Sequence, residues 1–362
     1  MKILTIIGAR PQFIKASVVS KAIIEQQTLS EIIVHTGQHF DANMSEIFFE
    51  QLGIPKPDYQ LDIHGGTHGQ MTGRMLMEIE DVILKEKPHR VLVYGDTNST
   101  LAGALAASKL HVPIAHIEAG LRSFNMRMPE EINRILTDQV SDILFCPTRV
   151  AIDNLKNEGF ERKAAKIVNV GDVMQDSALF FAQRATSPIG LASQDGFILA
   201  TLHRAENTDD PVRLTSIVEA LNEIQINVAP VVLPLHPRTR GVIERLGLKL
   251  EVQVIDPVGY LEMIWLLQRS GLVLTDSGGV QKEAFFFGKP CVTMRDQTEW
   301  VELVTCGANV LVGAARDMIV ESARTSLGKT IQDDGQLYGG GQASLGLLNI
   351  LPSCDALRVE FK

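Results

Sequence analysis

The chain has 362 residues, of which 45% are apolar and 21% are charged, values close to the averages of folded soluble domains. This composition excludes a disordered chain, a collagen-like repeat and a small disulfide scaffold, and the length favours two domains over one. Acidic residues outnumber basic ones by 43 to 34, giving a net charge of −9, and no run of five like charges occurs. Nucleic acid and anionic membranes are therefore not expected as partners.

The hydrophobic segments and the cysteine spacing bear on the cellular compartment in which the protein is expected. No apolar stretch approaches the roughly 18 residues of a membrane span, and Arg10 interrupts the apolar start too early for a signal peptide. The four cysteines lie far apart and lack the paired spacing of a metal site; they are Cys146, Cys291, Cys306 and Cys354. We expect a cytoplasmic protein with no membrane association, metal site or disulfide bond.

Short apolar runs in the first half of the chain predict strands buried in a parallel sheet. These runs are Ile3–Ile7, Ile32–His35, Val91–Tyr94, Ile114–Ile117, Ile143–Cys146 and Ile167–Val170. Helices are expected over Thr97–Ala107 and over Glu130–Gln139, the latter preceded by Pro129. This alternation predicts a doubly wound α/β fold.

The second half repeats the pattern. Its apolar runs are Phe197–Leu202, Val231–Leu235, Val252–Ile255, Leu272–Thr275 and Cys291–Met294. The stretch between the halves contains proline and glycine at 185–190, as linkers often do. We predict an N-terminal Rossmann-like domain over 1–172, a linker over 173–194 and a C-terminal Rossmann-like domain over 195–344, with the strand ends of both domains facing a cleft.

The first predicted strand leads into Gly8-Ala9-Arg10-Pro11, followed by Lys15. A glycine turn, a helix start and two cations together suit a phosphate or diphosphate. Neither the glycine-rich dinucleotide fingerprint nor the Walker lysine motif is present. The alternative is an ordinary turn in which Arg10 and Lys15 are solvated.

Carboxylates follow the third and fourth predicted strands and begin a helix. Asp96 comes after Val91–Tyr94 and Gly95, Glu118 comes directly after Ile114–Ile117, and Glu130 and Glu131 follow Pro129. Carboxylates at a common sheet edge can raise one another's pKa and act as acid and base. The alternative for each is a local role, with Asp96 capping a helix or Glu130 and Glu131 interacting with a helix dipole.

Basic side chains follow two strands of the second half, where His203-Arg204 and His236-Pro237-Arg238 begin loops. A third strand leads into Asp276-Ser277-Gly278-Gly279, whose bare amides and hydroxyl suit a phosphate at a helix start. Glu283, about one turn later, could accept hydrogen bonds from both ribose hydroxyls. A plain helix cap at Ser277 is the alternative.

These motifs resemble those of the non-hydrolysing UDP-N-acetylglucosamine 2-epimerases, two-domain enzymes with a glycosyltransferase-B-like fold. The matching segments extend over nearly the whole chain to about Ser344; they are Gly8–Pro11, His35–His39, Gly95–Thr97, His116–Arg122, Pro129–Arg134, His203–Arg204, His236–Pro237, Thr275–Gly279 and Met294–Asp296.

The resemblance implies an isomerase that inverts sugar C2 by eliminating and re-adding UDP, with a UDP-sugar substrate, no cofactor and a homodimeric state. It assigns catalysis to Asp96, Glu118, Glu130 and His203, with Asp96 as the first candidate for the base. It assigns substrate binding to Arg10, Lys15, Arg122, His236, Ser277, Gly278, Gly279, Glu283 and Arg295.

Three departures from the common pattern resemble the branch that acts on UDP-2,3-diacetamido-2,3-dideoxyglucuronate in O-antigen and lipopolysaccharide biosynthesis. They are Phe40-Asp41, Asp172 and the loop 123–128, and Arg122 or Arg127 could meet the uronate carboxylate. The alternative substrate pair is UDP-N-acetylglucosamine and UDP-N-acetylmannosamine. More distant alternatives are a UDP-sugar glycosyltransferase, a hydrolysing epimerase and a nucleotide-sugar sensor.

The tail over 345–362 differs from the amphipathic helix expected at this point. We expect it to be atypical; a cloning scar or a frameshift would account for it, and a native origin is the alternative.

Overall fold

The computed structural model describes residues 1–38, 53–191, 195–335 and 337–352, which form two compact units. Unit 1 comprises Met1–Ser177 and the described residues from Gly335 onward, and unit 2 comprises Ala178–Asp334. Each unit is built on one parallel sheet with helices beside it. The predicted fold class of two parallel-sheet α/β domains is confirmed.

The sheet of unit 1 has the strand order β3-β2-β1-β4-β5-β6-β7. Its strands are β1 Lys2–Ile7, β2 Ser30–His35, β3 Tyr59–Gln60, β4 Arg90–Tyr94, β5 Ile114–Ile117, β6 Ile143–Cys146 and β7 Lys166–Asn169. The helices of its N-terminal part are α1 Arg10–Glu25, α2 His68–Glu86, α3 Asn98–Lys109, α4 Pro129–Val140 and α5 Arg149–Asn157, with a 3₁₀ turn over Phe160–Arg162.

Continuous apolar runs form the central strands because both faces of this sheet are covered. Leu4 and Ile6 of β1 pack with Val93 of β4 against apolar side chains of α2 and α3, including Ile79 and Ala102. Ile3 and Ile7, which alternate with them along β1, are also fully buried.

The sheet of unit 2 has the strand order β10-β9-β8-β11-β12-β13. Its strands are β8 Ile198–Thr201, β9 Val231–Pro234, β10 Gln253–Ile255, β11 Leu272–Thr275, β12 Cys291–Thr293 and β13 Asn309–Leu311. Its helices are α7 Ala205–Thr208, α8 Pro211–Asn227, α9 Pro237–Arg245, α10 Tyr260–Arg269, α11 Gly278–Phe286, α12 Val301–Thr305 and α13 Arg316–Ser326. Two apolar clusters form its core, one containing residues of α8 and the other residues of α10 and α11.

In each sheet, successive strands are first added on one side of the starting strand and then on the other. The place where this change occurs is the topological switch point. This point lies between β1 and β4 in unit 1 and between β8 and β11 in unit 2. Open α/β sheets bind ligands beyond the carboxyl ends of the strands at such a point. The loops after these four strands are therefore the first places to look for a site.

The structure divides the chain differently from the predicted boundaries. Helix α6 (Val173–Ala182) occupies the first part of the predicted linker, and the division between units falls within it, after Ser177. Residues 337–344, assigned above to the second domain, belong to unit 1, where Asp176 accepts hydrogen bonds from the backbone of Ala343 and Ser344 at 3.0 and 2.7 Å. The predicted boundaries were based on local composition, which does not indicate contacts between segments far apart in the sequence.

The last helix also differs from the expectation of an atypical tail from residue 345. Helix α14 (Ala343–Ile350) is regular, and Leu347 and Leu348 are buried. Apolar side chains at this spacing give a helix one buried face. The expectations that concern His39, Phe40-Asp41 and residues 353–362 lie outside the described residues.

Candidate active site

The turn after β1 lies against residues that follow the neighbouring strands β2 and β4. A β-carbon at Gly8 would stand 2.0 Å from Thr36 Oγ1 and 2.3 Å from Ser99 Oγ, so only glycine fits here. The side-chain oxygen of Gln12 accepts hydrogen bonds from the backbone N–H groups of Gly8 and Ala9 at 2.8 and 3.0 Å. These contacts fix the turn from which Arg10 begins helix α1.

Lys15 of α1 forms an ion pair with Glu118, which follows β5, and both side chains are about nine-tenths buried. Glu118 has a φ of +71°, a left-handed conformation that is uncommon for a residue other than glycine. Its backbone N–H and that of Ala119 both donate to the carbonyl oxygen of Phe145 at 3.1 Å. Such local strain is typical of functional sites.

Asp96, after β4, forms an ion pair with Arg134 of α4. Burial raises the pKa of Asp96, Arg134 opposes that rise, and the negative charge of Glu118 adds to it. The nearby helix α3 is capped by Thr97, whose side chain accepts from the N–H of Thr100. Asp96 is therefore not the helix cap that the local alternative required.

The two glutamates that begin α4 have different surroundings. Glu131 is 1% exposed and accepts hydrogen bonds at 2.9 Å from the N–H and hydroxyl of Ser123 and from the N–H of Phe124. Glu130 is exposed. Glu131 thus holds the 123–128 loop, which leaves Glu130 as the better candidate of the two for contact with substrate.

Arg122 has carboxylate partners inside unit 1, and its role in substrate binding stays a prediction. The guanidinium of Arg122 is buried, binds Glu158 through two hydrogen bonds of 2.6 and 2.8 Å and pairs with Asp138 at 2.8 Å. Its charge is already neutralised by two carboxylates inside unit 1. Arg127, the other predicted partner of a sugar carboxylate, is exposed.

In unit 2, the turn after β8 is held by a buried carboxylate. Asp276 is fully buried and accepts hydrogen bonds from the backbone N–H groups of His203 at 3.1 Å and Arg204 at 2.9 Å. Its carboxylate also lies 3.3 Å from Nδ1 of His203, whose side chain is 53% exposed. Asp276 therefore orients a histidine that solvent or a ligand can reach.

Helix α11 begins beside this turn with Ser277 as its cap. A β-carbon at Gly278 would stand 2.5 Å from a carboxylate oxygen of Glu299, so a larger residue here would displace that side chain. Arg295 donates to Glu299 at 3.0 Å. Burial alone would raise the pKa of Glu299, but Arg295 and Arg204 outweigh it and lower that pKa.

Of the remaining predicted residues of unit 2, Gly279 and Glu283 belong to helix α11, whereas His236 has a local structural role at another helix. Glu283 lies one turn into α11 and is 5% exposed, and Gly279 has open space beside it. His236 is exposed and caps α9, with its Nδ1 accepting from the N–H of Arg238 at 3.2 Å. This cap accounts for His236 without a ligand.

Comparison with known proteins identifies the family. A family model described as UDP-N-acetylglucosamine 2-epimerase matches residues 21–352. The chain belongs to this family.

Relatives from two methanogens match over nearly their whole length. A UDP-N-acetylglucosamine 2-epimerase homolog of Methanococcus maripaludis is 50% identical, with 97% of this chain and 99% of that protein covered. A UDP-N-acetylglucosamine 2-epimerase of Methanocaldococcus jannaschii is 44% identical with the same coverage.

Solved structures lead to the same family. The M. jannaschii epimerase in complex with UDP-GlcNAc and UDP superposes with a TM-score of 0.86 at 43% identity, covering 98% of this chain and 100% of that one. The Neisseria meningitidis epimerase bound to UDP-GlcNAc gives a TM-score of 0.85 at 31% identity, with the same coverage. Members of the family are isomerases, so the predicted enzyme class is confirmed over the glycosyltransferase alternative.

Several residues that organise the candidate site were not predicted from the sequence. Gln12, Arg134, Asp276 and Glu299 each join a loop of the site to another element. Arg134 lies inside the matched segment Pro129–Arg134, so the motif contained it without indicating its partner.

Within the described parts of the chain, no helix is both long and apolar enough to cross a membrane. The same residues contain no group of three or more histidine, cysteine, aspartate or glutamate side chains that could hold a metal ion.

Proposed function

We propose that this epimerase inverts C2 of a UDP-2-acetamido sugar by eliminating and re-adding UDP. The observation that carries the proposal is two ion pairs in unit 1, the buried pair of Lys15 with Glu118 and the partly buried pair of Asp96 with Arg134. Both join the turns after β4 and β5 to helices. They hold two carboxylates at the carboxyl ends of neighbouring strands, and the pKa of Asp96 is raised, as is typical of groups that carry out general acid–base chemistry.

In the elimination step, a carboxylate takes the proton from C2 while the C1–O bond to the diphosphate breaks. A double bond forms between C1 and C2, and UDP leaves with the electron pair. Proton delivery to the opposite face of C2, together with re-addition of UDP at C1, gives the epimer. Asp96 is the first candidate for the base because its pKa is raised towards the working range of a proton acceptor.

Unit 2 is proposed to hold the nucleotide. The amides of Gly278 and Gly279 at the start of α11 suit a phosphate, and His203 is oriented by Asp276 for contact with an anion. Glu283 is proposed to accept hydrogen bonds from the ribose hydroxyls. A protonated His203 would also stabilise the negative charge of departing UDP.

UDP-N-acetylglucosamine is the substrate best supported by the relatives, whose names specify that activity. The diacetamidouronate remains a second candidate, supported by exposed Arg127 in the 123–128 loop. Arg122, the other arginine suggested for the uronate carboxylate, is already paired with carboxylates.

Asp172 is one of the departures that resemble the diacetamidouronate branch. It accepts a hydrogen bond at 2.8 Å from the N–H of Met174 at the start of α6. An asparagine at position 172 could accept the same bond, so this residue does not discriminate between the two substrates.

We also propose that the enzyme is a homodimer. Exposed apolar side chains on α4 and the preceding loop, Ile132, Leu136, Phe124 and Met126, are candidates for the interface. Light scattering on the purified chain measures its mass directly, and a monomer at micromolar concentration would contradict the proposal.

Incubation with UDP-N-acetylglucosamine in deuterated water tests the reaction. NMR should show the C2 epimer with deuterium at C2, and no nicotinamide should be required. Epimer formed without label at C2, or formed only when NAD is added, would contradict elimination with solvent exchange.

A further inference from the structure

A buried charged group lies beneath the turns that carry Asp96 and Glu118. It consists of His116 on β5, Arg122, Asp138 on α4 and Glu158, and we call it the His116 group. His116 and Asp138 are fully buried, the Arg122 side chain is 1% exposed and Glu158 forms the outer edge at 30%. None of these residues is needed as a proton acceptor or donor in the proposed reaction.

Both ring nitrogens of His116 face oxygen atoms that can only accept a hydrogen bond. Nδ1 lies 2.7 Å from a carboxylate oxygen of Asp138, and Nε2 lies 2.7 Å from the carbonyl oxygen of Gly95. A neutral imidazole has one N–H, so one of these contacts would place two lone pairs against each other. Hydrogen bonding at both nitrogens requires the positively charged imidazolium.

The surrounding charges balance this cation. Asp138 accepts from His116 through one oxygen, and its other oxygen accepts from the N–H of Gly120 at 3.2 Å and pairs with Arg122. Arg122 is in turn bound by Glu158. With His116 charged, the group holds two cations and two anions and has zero net charge. The attraction between these charges offsets the desolvation cost of burying a charged histidine.

Another titratable side chain lies beside the His116 group. Cys146 of β6 is buried beside it, and burial together with the negative charge of Asp138 raises the pKa of that thiol, so it stays neutral. On the opposite side, the acceptor for Nε2 belongs to the peptide bond that precedes Asp96.

We propose that His116 is a charged positioning residue for proton transfer at C2. Its Nε2–H fixes the plane of the Gly95–Asp96 peptide, and the N–H of Gly95 donates to the carbonyl oxygen of Ile117 at 2.9 Å. Asp138 fixes Gly120, two residues after Glu118. The group thereby sets the positions of the two carboxylates relative to each other, a role that rests on the proposed function of Asp96 and Glu118.

The protonation state is tested on the wild-type protein, without any assay of activity. NMR of protein labelled with ¹⁵N at histidine should show one of the nine histidines with hydrogen on both nitrogens at neutral pH. Loss of these signals in His116→Gln assigns them. A single protonated nitrogen at His116 overturns the proposal, whatever the enzyme proves to catalyse.

The positioning role is tested with Asp138→Asn. Removing the anion should let His116 lose its proton as pH rises, so kcat should acquire a new decline towards alkaline pH that wild type lacks. At its pH optimum kcat should still fall about tenfold or more, since small displacements of reacting groups are costly. UDP affinity, measured by calorimetry, should stay within about twofold because the proposed nucleotide site is in unit 2.

His89→Gln is the matched control, since this exposed histidine accepts a bond from the N–H of Lys2 at the far end of the sheet. It should leave kcat and its pH profile unchanged. The proposal would be overturned if Asp138→Asn had a lower melting temperature but a pH profile of kcat parallel to that of wild type. That result would show that the His116 group only stabilises the fold.

Discussion

Arg134 donates a hydrogen bond to the carboxylate of Asp96, joining helix α4 to the turn after β4. The neighbouring residue Asn133 donates to the backbone carbonyl of Asp96 at 2.9 Å. Two consecutive side chains of one helix therefore fix both the backbone and the carboxylate of this residue. An exposed aspartate with only a capping role would not need such support.

Replacing Asp96 with asparagine should abolish most of the epimerase activity. The amide keeps the shape of the side chain but cannot take the C2 proton, so kcat should fall by about 100-fold or more. UDP affinity and the melting temperature should change little. Asp153→Asn is the control, since Asp153 is 51% exposed and pairs with Arg149 one helical turn away. If Asp96→Asn retains the activity of this control, Asp96 has no part in the mechanism.

Arg134→Gln should move the acid limb of the pH profile of kcat/KM to higher pH. Burial raises the pKa of Asp96 and Arg134 opposes that rise, so loss of the guanidinium charge raises this pKa further. If ionised Asp96 is the base, more alkaline solution is then needed to ionise it. Arg134→Lys retains a cation and should return the limb towards its wild-type position; identical limbs in wild type and Arg134→Gln would exclude Asp96 as the group that titrates.

Asp276→Asn should weaken both unit 2 and its nucleotide site. The carboxylate accepts from the N–H groups of His203 and Arg204, and an amide NH₂ turned towards them would repel one donor. Loss of a charged acceptor costs about 1.5–3 kcal/mol, visible as a lower melting temperature and weaker UDP binding by calorimetry. Asp209→Asn, at an exposed ion pair with Arg238, is the comparison and should have little effect on either quantity.

Glu283→Ala should lower UDP affinity by about 1–3 kcal/mol through loss of the ribose contacts. Glu321→Ala, at an exposed position of α13 in the same unit, should leave that affinity unchanged. Calorimetry with UDP and with uridine monophosphate would show similar losses for both ligands, because each carries the ribose. Unchanged affinity in a folded Glu283→Ala protein would remove the ribose assignment.

Sequence patterns predicted most strands to within one or two residues because a buried parallel strand needs an uninterrupted apolar run. They missed β3, which has only two residues, and β13, where Val310 is 38% exposed. Both strands lie at the edge of a sheet, where a strand pairs with one neighbour and is less buried. Their sequences therefore lack a long apolar run that would predict them.

The proximity of the candidate residues Asp96 and Glu118 was predictable because both follow neighbouring parallel strands, whose carboxyl ends lie at the same edge of the sheet. Their partners were not. Arg122 stands in a motif next to the site, yet its charge is bound by Asp138 and Glu158, which are 16 and 36 residues further along the chain. Only the three-dimensional structure shows that such an arginine is already neutralised.

The substrate can be decided by comparing two UDP-sugars with wild type and Arg127→Gln. A uronate carboxylate needs a cation, and a charge-assisted hydrogen bond contributes about 1.5–3 kcal/mol, enough for at least a tenfold preference. If the diacetamidouronate is the substrate and Arg127 binds it, kcat/KM for that sugar should fall about tenfold or more in Arg127→Gln, with little change for UDP-N-acetylglucosamine. Arg149→Gln, at an exposed arginine of α5, is the control for loss of surface charge. Higher kcat/KM for UDP-N-acetylglucosamine, unaffected by either replacement, would exclude the uronate and leave the acetamido sugar as substrate.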